Sequence, residues 1–322
     1  MSKKKHPQIK PMDADRESPP KRLRKSPPSA DELFPPQPEV LALMEKLKSC
    51  GTPLGEYVQG RFYRGILTGL NEAFVVDAAT REKLISEDPK SDELIKPWLR
   101  GRDIGKWKAV WDGLYVIFIP WHCPLHDDPS IAGASEKAEK AFKHLYPAVF
   151  NHLLKFKDQL SKRNAAETGI RYEWYALQRC AATYYEEFER PKIVWGNMAT
   201  SPKFAFDNED FYISAPANLL PASDTYLVGL LNSSICKWLI AFLAAVRGGN
   251  FLEFKPMYVE QIPVFPATNK QKVPIIERVE KILADPDGSD IPRLEREIDQ
   301  MVYELYGLTE EEVRIVEGKN EI

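Results

Sequence analysis

The sequence predicts a mixed α/β protein, with a body of twisted strands and packed helices followed by a helical carboxy-terminal segment. Short apolar runs bounded by Pro, Gly, Asn or Asp recur through the middle of the chain, as is typical of strands. Apolar residues at helical spacing recur near residue 40, between 135 and 163, and after 224. The 322 residues, 43% of them hydrophobic, are enough for a large buried core.

Three parts are expected in chain order. Residues 1–38 form a disordered basic tail, because their nine prolines lack the N–H groups that helices and sheets need. The body covers 39–265, and the helical segment covers 266–322. The tail is either an electrostatic arm on DNA or a solvated extension. Residues 1–28 carry nine Lys or Arg against three Asp or Glu, so the net charge of −3 leaves −9 on the rest of the chain.

The first elements follow from apolar spacing and capping residues. A helix is predicted over 39–49, where apolar residues recur every three to four positions. Farther on, Thr80 is a candidate cap for a short helix that Pro89 stops. Ser91 is a candidate cap for another that ends before Pro97. These elements flank a glycine-containing stretch between them.

The middle of the chain alternates strands and helices. The continuous apolar run at 114–119 predicts a strand buried on both faces. Residues 135–163 predict a helix interrupted at Pro147, with an apolar stripe and lysines opposite. Aromatic side chains crowd 172–190, where their interleaving with glutamates favours core packing over base stacking. Further strands are predicted at 192–195, 203–206 and 211–214, and we expect the last two to form a hairpin through 207–210.

The last third is mainly helical. Asp224 is a candidate cap for a long buried helix that reaches about Val246. Its apolar residues are interrupted too often for a membrane span, which needs about 20 in succession. A strand over 251–254 follows, then amphipathic helices over 273–284 and 290–306. Thr309 and Glu312 have the spacing of a capping box for a final short helix.

The stretch from Tyr63 to Val76 is the strongest functional signal in the sequence. Gly65 and Gly69 permit a tight turn or a close approach of the backbone to a ligand. The polar residues of this stretch are Arg64, Thr68 and Asn71. They are either directed at a polar partner or solvated in a hairpin whose glycines serve only the turn.

Seven segments in chain order are similar to the motifs of one family. They are Tyr63–Val76, Ile95–Ile104, Tyr184–Ile193, Tyr226–Ser233, Arg247–Gly249, Glu260–Pro263 and Asp299–Thr309. As a set they resemble the TaqI-like C-terminal specificity domain, the target recognition part of type IIG restriction-modification enzymes. The resemblance covers about residues 40–317, and the tail has no counterpart in it.

The resemblance implies sequence-specific recognition of double-stranded DNA in the cytoplasm of a prokaryote. It implies an adenine-specific DNA methyltransferase as partner, and possibly an endonuclease subunit. S-adenosylmethionine is then expected on a separate methyltransferase domain or subunit. The chain itself has neither the glycine loop that binds this cofactor nor an Asn/Asp-Pro-Pro-Tyr/Phe loop for a flipped adenine. We therefore expect no catalytic residues, no cofactor and no membrane contact for this chain.

The resemblance also suggests a single DNA-binding surface. Its candidate residues are Arg64, Thr68, Gly69, Asn71, Arg100, Arg102, Arg247, Gly248, Gly249 and Asn250. A glycine lies beside each polar set, which allows the backbone to approach phosphate or a groove floor. Arginine can bind two acceptors on guanine, and asparagine can do so on adenine. For Arg102 an ion pair with Asp103 is the competing interpretation.

Cysteines and histidines give no metal framework. The four cysteines lie far apart, as suits a reducing cytosol, and show neither zinc spacing nor a disulfide pattern. His122, Cys123, His126 and Asp127 are possible ligands, but zinc sites usually recruit two such clusters. Since no second cluster appears, a surface loop is expected there and no metal.

Two alternatives to DNA recognition remain at this stage. The acidic balance beyond the tail disfavours tight DNA binding by the chain alone, because phosphate contacts need basic side chains. The chain is then a protein–protein interaction module or a degenerate remnant that does not bind DNA. The second alternative is that the chain is itself part of a site-specific adenine methyltransferase.

Overall fold

The computed structural model describes residues 37–244, 246–247 and 250–318. The chain divides into two compact units, residues 1–41 and 42–322. Of the first unit the described residues are 37–41, where the first helix begins, so the predicted tail lies almost wholly outside the described residues.

Helices and short strands alternate along the described chain. The helices are α1 (Pro38–Ser49), α2 (Leu54–Tyr57), α3 (Asn71–Phe74), α4 (Ala78–Glu87), α5 (Glu136–Leu145), α6 (Pro147–Leu154), α7 (Lys157–Lys162), α8 (Thr225–Leu231), α9 (Ser234–Leu243), α10 (Pro256–Val259), α11 (Asn269–Ala284), α12 (Ile291–Leu305) and α13 (Glu310–Glu317). The strands are β1 (Thr52–Pro53), β2 (Tyr63–Arg64), β3 (Val75–Val76), β4 (Ile95–Leu99), β5 (Tyr115–Ile117), β6 (Lys192–Trp195), β7 (Met198–Ala199), β8 (Phe204–Asp207), β9 (Tyr212–Ile213), β10 (Asn218–Pro221), β11 (Val246–Arg247), β12 (Phe251–Glu253) and β13 (Pro263–Val264). The predicted mixed α/β class is confirmed.

The strands form several small sheets rather than one large one. The central sheet has the order β2-β10-β6-β8, and its pairs are antiparallel. A second sheet has the order β3-β5-β4-β9, in which β4 and β9 are parallel. A three-stranded sheet has the order β11-β12-β7, and β1 pairs with β13.

The central sheet separates two hydrophobic cores. Side chains that alternate along β6 enter opposite cores, Val194 on one side and Ile193 and Trp195 on the other. We call the first the aromatic core; it includes Tyr172, Tyr175, Phe142, Phe188 and Tyr212. We call the second the helical core; it includes Leu47, Leu227, Ile240, Val279 and Ile298. The aromatic-rich segment therefore packs in a core, as predicted.

Several elements of the first half match their predictions, and two caps differ. The helix at 39–49 is confirmed as α1, and the break at Pro147 separates α5 from α6. The expected cap Thr80 is wrong: the Asp77 side chain caps α4, and Thr80 donates its backbone N–H to it over 2.8 Å. The helix expected after Ser91 is wrong as well, because residues 89–94 form a 3₁₀ helix that begins at Pro89.

The hairpin predicted through residues 207–210 is also wrong. β8 pairs with β6 in the central sheet, whereas β9 pairs in parallel with β4 in the second sheet. The Asp207 carboxylate accepts the backbone N–H of Glu209 at 2.8 Å, and Asp210 has a left-handed φ of 58°. This local turn directs the chain away from β8. The two apolar segments have the lengths expected of a hairpin, yet β8 and β9 belong to different sheets.

The long helix predicted from Asp224 is correct at its start and wrong in its length. Asp224 caps α8, but the chain breaks after Leu231 and Ser233 caps a second helix, α9. The break is built by Asn232, whose side chain accepts the backbone N–H of Phe204 and donates to its carbonyl. Among the described residues no single helix has the length and apolarity to cross a membrane; α8 and α9 meet both criteria only together, with a bend of 58°.

The terminal helices pack on α8 across a glycine. A Cβ on Gly229 would lie 2.9 Å from Cγ2 of Ile275 and 3.1 Å from Cγ2 of Val279, so α8 and α11 approach closely there. Gly307 ends α12 with a φ of 62°. The capping box of Thr309 and Glu312 is confirmed at the start of α13.

Candidate nucleic-acid interface

One end of the central sheet is marked by a row of directly paired residues. Asn218 on β10 lies opposite Arg64 on β2 and opposite Trp195 on β6. Trp195 in turn lies opposite Phe204 on β8. We call these four residues the end row. Trp195 and Phe204 are buried in the helical core, whereas Arg64 is exposed.

Arg64 is held by its backbone and leaves its side chain in solvent. Its carbonyl accepts the Tyr184 hydroxyl at 3.0 Å, and the Tyr184 ring stacks on Tyr63 at 4.6 Å. The next residue is Gly65, and a side chain does not fit there because a Cβ would lie 2.5 Å from the backbone of Ser214. Gly65 therefore permits a close contact between two segments of the chain. The structure gives it this packing role rather than an approach to a ligand.

Thr68 and Gly69 also make internal contacts. Thr68 is buried, and its hydroxyl donates to the side-chain oxygen of Asn71 at 2.6 Å. Gly69 has a φ of 80°, and a Cβ there would lie 2.6 Å from Oε1 of Gln178. Arg163 donates to the Thr68 carbonyl at 2.8 Å, and burial lowers the pKa of Arg163 to about 10. Thr68 is thus a positioning residue for Asn71, whose own side chain is exposed.

Arg100 and Arg102 differ in how firmly they are held. Arg100 donates from Nε and Nη2 to both carboxylate oxygens of Asp103 at 2.8 Å, and to Asp112 at 2.6 Å. These bonds raise the pKa of Arg100; they also outweigh the effect of burial on Asp103 and lower the pKa of that carboxyl. Arg102 is 74% exposed, and its Nε lies 4.0 Å from Asp103. Asp103 therefore pairs mainly with Arg100, which leaves Arg102 exposed.

The 3₁₀ turn that carries Arg102 lies beside the end row. A Cβ on Gly101 would meet Cβ of Ala217 at 4.0 Å, and a Cβ on Gly196 would meet the Gly101 carbonyl at 3.6 Å. Ala217 precedes Asn218 in the chain, and Gly196 follows Trp195. The second motif is thereby placed next to Arg64. Arg100, Arg102 and Val110 also line a surface groove of about 430 Å³.

The third predicted set lies on the three-stranded sheet, at the end of β12 away from Asn197. Arg247 on β11 lies opposite Phe251 on β12, and Asn250 is exposed with a φ of 60°. Gly248 and Gly249 lie outside the described residues. β12 pairs with β7, whose preceding residue Asn197 accepts the Asn218 side chain at 2.6 Å. Asn197 therefore joins this sheet to the end row.

The loop at 120–135 is organised by a buried carboxylate. Glu173 is 3% exposed and accepts the backbone N–H groups of His122 and Ser135 at 2.9 and 3.0 Å. It also contacts Nδ1 of His122 at 3.0 Å. Across the described ranges, no group of three or more His, Cys, Asp or Glu side chains is arranged to hold a metal. Cys123 is buried, and burial raises its pKa to about 12.

Comparison with known proteins identifies the family. The family model of the TaqI-like C-terminal specificity domain matches residues 96–264, more than half of the chain. The chain belongs to this family. The resemblance drawn from the sequence motifs is confirmed, and the matched region contains Arg100, Arg102 and Asn250.

Two further proteins are similar to this TaqI-like chain. It is 28% identical over 247 residues to the type II methyltransferase M.MjaIV of Methanocaldococcus jannaschii, covering 74% of this chain and 76% of that protein. The type IIL restriction-modification enzyme MmeI, solved in complex with DNA, matches with a TM-score of 0.54 at 15% identity. That match covers 79% of this chain and 34% of MmeI, so it shows a shared fold with part of a longer protein.

The structure adds residues to the candidate interface that the sequence did not suggest. Asn197 and Asn218 connect its parts, the exposed Met198 follows Asn197, and the exposed Phe251 is the diagonal neighbour of Met198. The sequence predicts the strand that contains Phe251 but not the strands that pair with it, and that pairing decides whether Phe251 is exposed. The signal that was available is the sequence Gly196-Asn197, a turn dipeptide directly after an apolar strand.

Proposed function

We propose that this chain recognises DNA sequence for an adenine-specific methyltransferase of a restriction-modification system, in the cytoplasm of a prokaryote. The observation that carries the proposal is that Arg64 and the turn at Arg102 meet at one end of the central sheet, and that Asn197 joins the three-stranded sheet to the same end. These segments lie far apart in sequence. Membership in a family of specificity domains supports DNA as the ligand of that surface.

The chemistry of this surface fits a duplex. The backbone that carries Arg64 is fixed by strand pairing, and the backbone that carries Arg102 is fixed by a 3₁₀ turn. DNA binding therefore does not have to order these backbone segments. Guanidinium groups suit phosphate oxygens or a guanine edge, and the exposed amides of Asn71 and Asn250 suit an adenine edge. Many carboxylates of the acidic body are already paired, as Asp103 is with Arg100. The potential that phosphate meets here depends on the nearby exposed charges, among which are the cations Arg64 and Arg102.

The methyl-transfer chemistry is proposed to reside elsewhere. S-adenosylmethionine is expected on a separate domain or polypeptide, because the recognisable loops for this cofactor and for a flipped adenine do not occur in the 322 residues. An endonuclease subunit is a further proposed partner. Four free cysteines are consistent with the reducing cytoplasm in which such enzymes act on DNA.

Arg102→Ala is the most direct test. Duplexes with a randomised centre are enriched on the full-length chain at low salt, and affinities are then measured for the enriched and the unselected pool. If Arg102 contacts a base, Arg102→Ala should lose about 1 to 3 kcal/mol of binding free energy on the enriched pool and little on the unselected pool. A phosphate contact would weaken both alike and lower the salt slope by about one.

The matched control is Arg171→Ala. Its side chain is 57% exposed, pairs with Glu167 and lies over the Trp121 ring, which packs on the aromatic core. It should bind both pools like the unmodified chain. If no pool binds, alone or with its methyltransferase present, DNA recognition is wrong and a protein interaction module becomes the better description.

A second candidate function is methyl transfer by the chain itself. It is favoured by the relative from Methanocaldococcus jannaschii, which carries the name of a methyltransferase and is matched over 76% of its length. Incubation of the purified chain with radiolabelled S-adenosylmethionine and genomic DNA tests it. Reproducible incorporation of label would establish this function and contradict the division of labour proposed above.

A further inference from the structure

We propose that Met198 and Phe251 are specificity-determining residues that contact the C5-methyl groups of thymine in the recognised DNA. The inference rests on the proposed function and deepens it. It predicts that the target sequence contains A·T pairs read by apolar contact rather than by hydrogen bonds. Neither residue belongs to the polar set that the sequence suggested.

Both side chains are exposed although their strands are part of a packed sheet. Met198 is 44% exposed and Phe251 is 42% exposed. Their neighbours Ala199 and Leu252 are 7% and 6% exposed and pack in the helical core. Burying a side chain of this size stabilises a protein by about 1.5 to 3 kcal/mol, so leaving two adjacent ones in water forgoes stability.

The strand register places the two side chains on one face. Met198 on β7 lies opposite Glu253 on β12, and directly paired residues point to the same side of a sheet. Phe251 is two residues before Glu253, so it points to that side as well. Ala199 and Leu252 form the next pair and point to the opposite side, into the helical core. Met198 and Phe251 are therefore diagonal neighbours on the side opposite Ala199 and Leu252. Glu253 lies between them on that side; it is 4% exposed, and its charge is balanced by Lys255 at 2.9 Å.

This face continues the candidate interface. Met198 follows Asn197, which is hydrogen-bonded to Asn218 of the end row. Phe251 lies opposite Arg247 and directly after the exposed Asn250. Arg64 completes the row beyond Asn218. The apolar pair thus extends from Asn197, beside the end row, toward Asn250 at the other end of β12.

The chemistry of the duplex leaves one good partner for such a pair. In the major groove, which admits a two-stranded β-ribbon, the C5-methyl group of thymine is the apolar feature that distinguishes A·T from G·C. Methionine adapts its shape to an apolar partner, and phenylalanine contacts the thymine methyl in known readout. Phosphate and the base acceptors instead suit the surrounding arginines and asparagines.

Replacing thymine by uracil removes this methyl group while base pairing stays the same. The duplex pool enriched on the full-length chain is amplified once with dTTP and once with dUTP, and both dissociation constants are measured by fluorescence anisotropy. Uracil should weaken binding about fourfold for each methyl group contacted, from the free energy of burying one methyl. The double variant Met198→Ala, Phe251→Ala should bind both pools equally, at the affinity of the unmodified chain for the uracil pool.

Phe242→Ala is the matched control. Phe242 is 40% exposed on α9, and its loss should leave the preference for thymine unchanged. Equal binding of both pools by the unmodified chain, or an undiminished thymine preference in the double variant, overturns the inference while DNA recognition stands. If the unmodified chain enriches no sequence and binds no DNA, the proposed function itself has failed. Unchanged melting temperatures confirm that the variants remain folded.

Discussion

The two cores on either side of the central sheet are built by different means. The helical core is mainly aliphatic, and its helices meet through side chains such as Ile275, Val279 and Ile298. The aromatic core contains stacked rings, for example Phe142 on Tyr175 at 4.4 Å. Its loops are held by buried polar groups such as Glu173, which is 3% exposed. Both cores contain buried hydrogen bonds, such as those of Asn232 with Phe204 in the helical core, but the helical core is built mainly by aliphatic volume.

This difference governs how each core tolerates substitution. Aliphatic packing loses stability in proportion to the volume removed, because neighbouring side chains relax only in part. Removing a buried polar group destabilises the native state by more than its volume would suggest, because it leaves buried donors without an acceptor. The four predictions that follow contrast the cores, from the largest expected effect to the smallest.

Glu173→Leu should have the largest effect. The change removes the acceptor of two backbone N–H groups, those of His122 and Ser135, in the aromatic core. Each unsatisfied buried donor costs about 1 to 3 kcal/mol, so unfolding by urea should show a loss of about 3 to 5 kcal/mol. Glu173→Gln keeps an acceptor and should lose less. Equal losses for the two variants would mean that hydrogen bonding does not hold this loop.

Ile298→Ala probes the helical core by volume. Ile298 on α12 is 1% exposed, so the substitution should cost about 2 to 5 kcal/mol in the same measurement. Val273 on α11 is 48% exposed, and Val273→Ala should change stability by less than about 0.5 kcal/mol. A small effect at Ile298 would show that α12 is not part of the cooperative unit.

Gly229→Ala probes the closest helix contact. The added methyl would meet Cγ2 of Ile275 at 2.9 Å, and we expect a loss of about 1 to 3 kcal/mol from overpacking. Combining it with Ile275→Ala removes the obstructing Cγ2 atom, so the double variant should lose less stability than the sum of the two single losses. Full additivity of the two losses would contradict a direct contact.

His152 should make the free energy of unfolding depend on pH. Its ring is half-buried with Nε2 3.0 Å from the Ala73 carbonyl, and burial lowers its pKa below the ordinary 6.5. The unfolded chain therefore takes up a proton first as the pH falls below 6.5, and the native state loses stability through that window. Urea unfolding at successive pH values should show this slope reduced in His152→Gln. An identical slope in both proteins would contradict the assignment.

The helical core was the more predictable half. Spacing of apolar residues and caps such as Asp224 and Thr309 located its helices, because helix packing follows the local 3.6-residue period. The break at Asn232 was missed, since it depends on a bond to Phe204 on a distant strand. In the sheets, strand positions were found but pairing was not, as the predicted hairpin at 207–210 shows.

The candidate site was predictable in outline only. The motifs led to Arg64 and Arg102, but local sequence gives no sign that Asp103 pairs with Arg100 and leaves Arg102 exposed. Thr68 has the composition of a ligand contact and is buried against Asn71. Exposure of Met198 and Phe251 follows from the pairing of β7 with β12, which is a long-range property.

The proposed DNA-binding surface has a consequence for how specificity evolves. Arg64, Met198 and Phe251 contribute their backbones to sheet pairing, while their side chains lie in solvent. Exchanging such side chains costs the fold little, because exposed positions seldom alter stability by more than about 0.5 kcal/mol. Selection for a new target sequence can therefore act on these positions one at a time, without first acquiring compensating changes in either core.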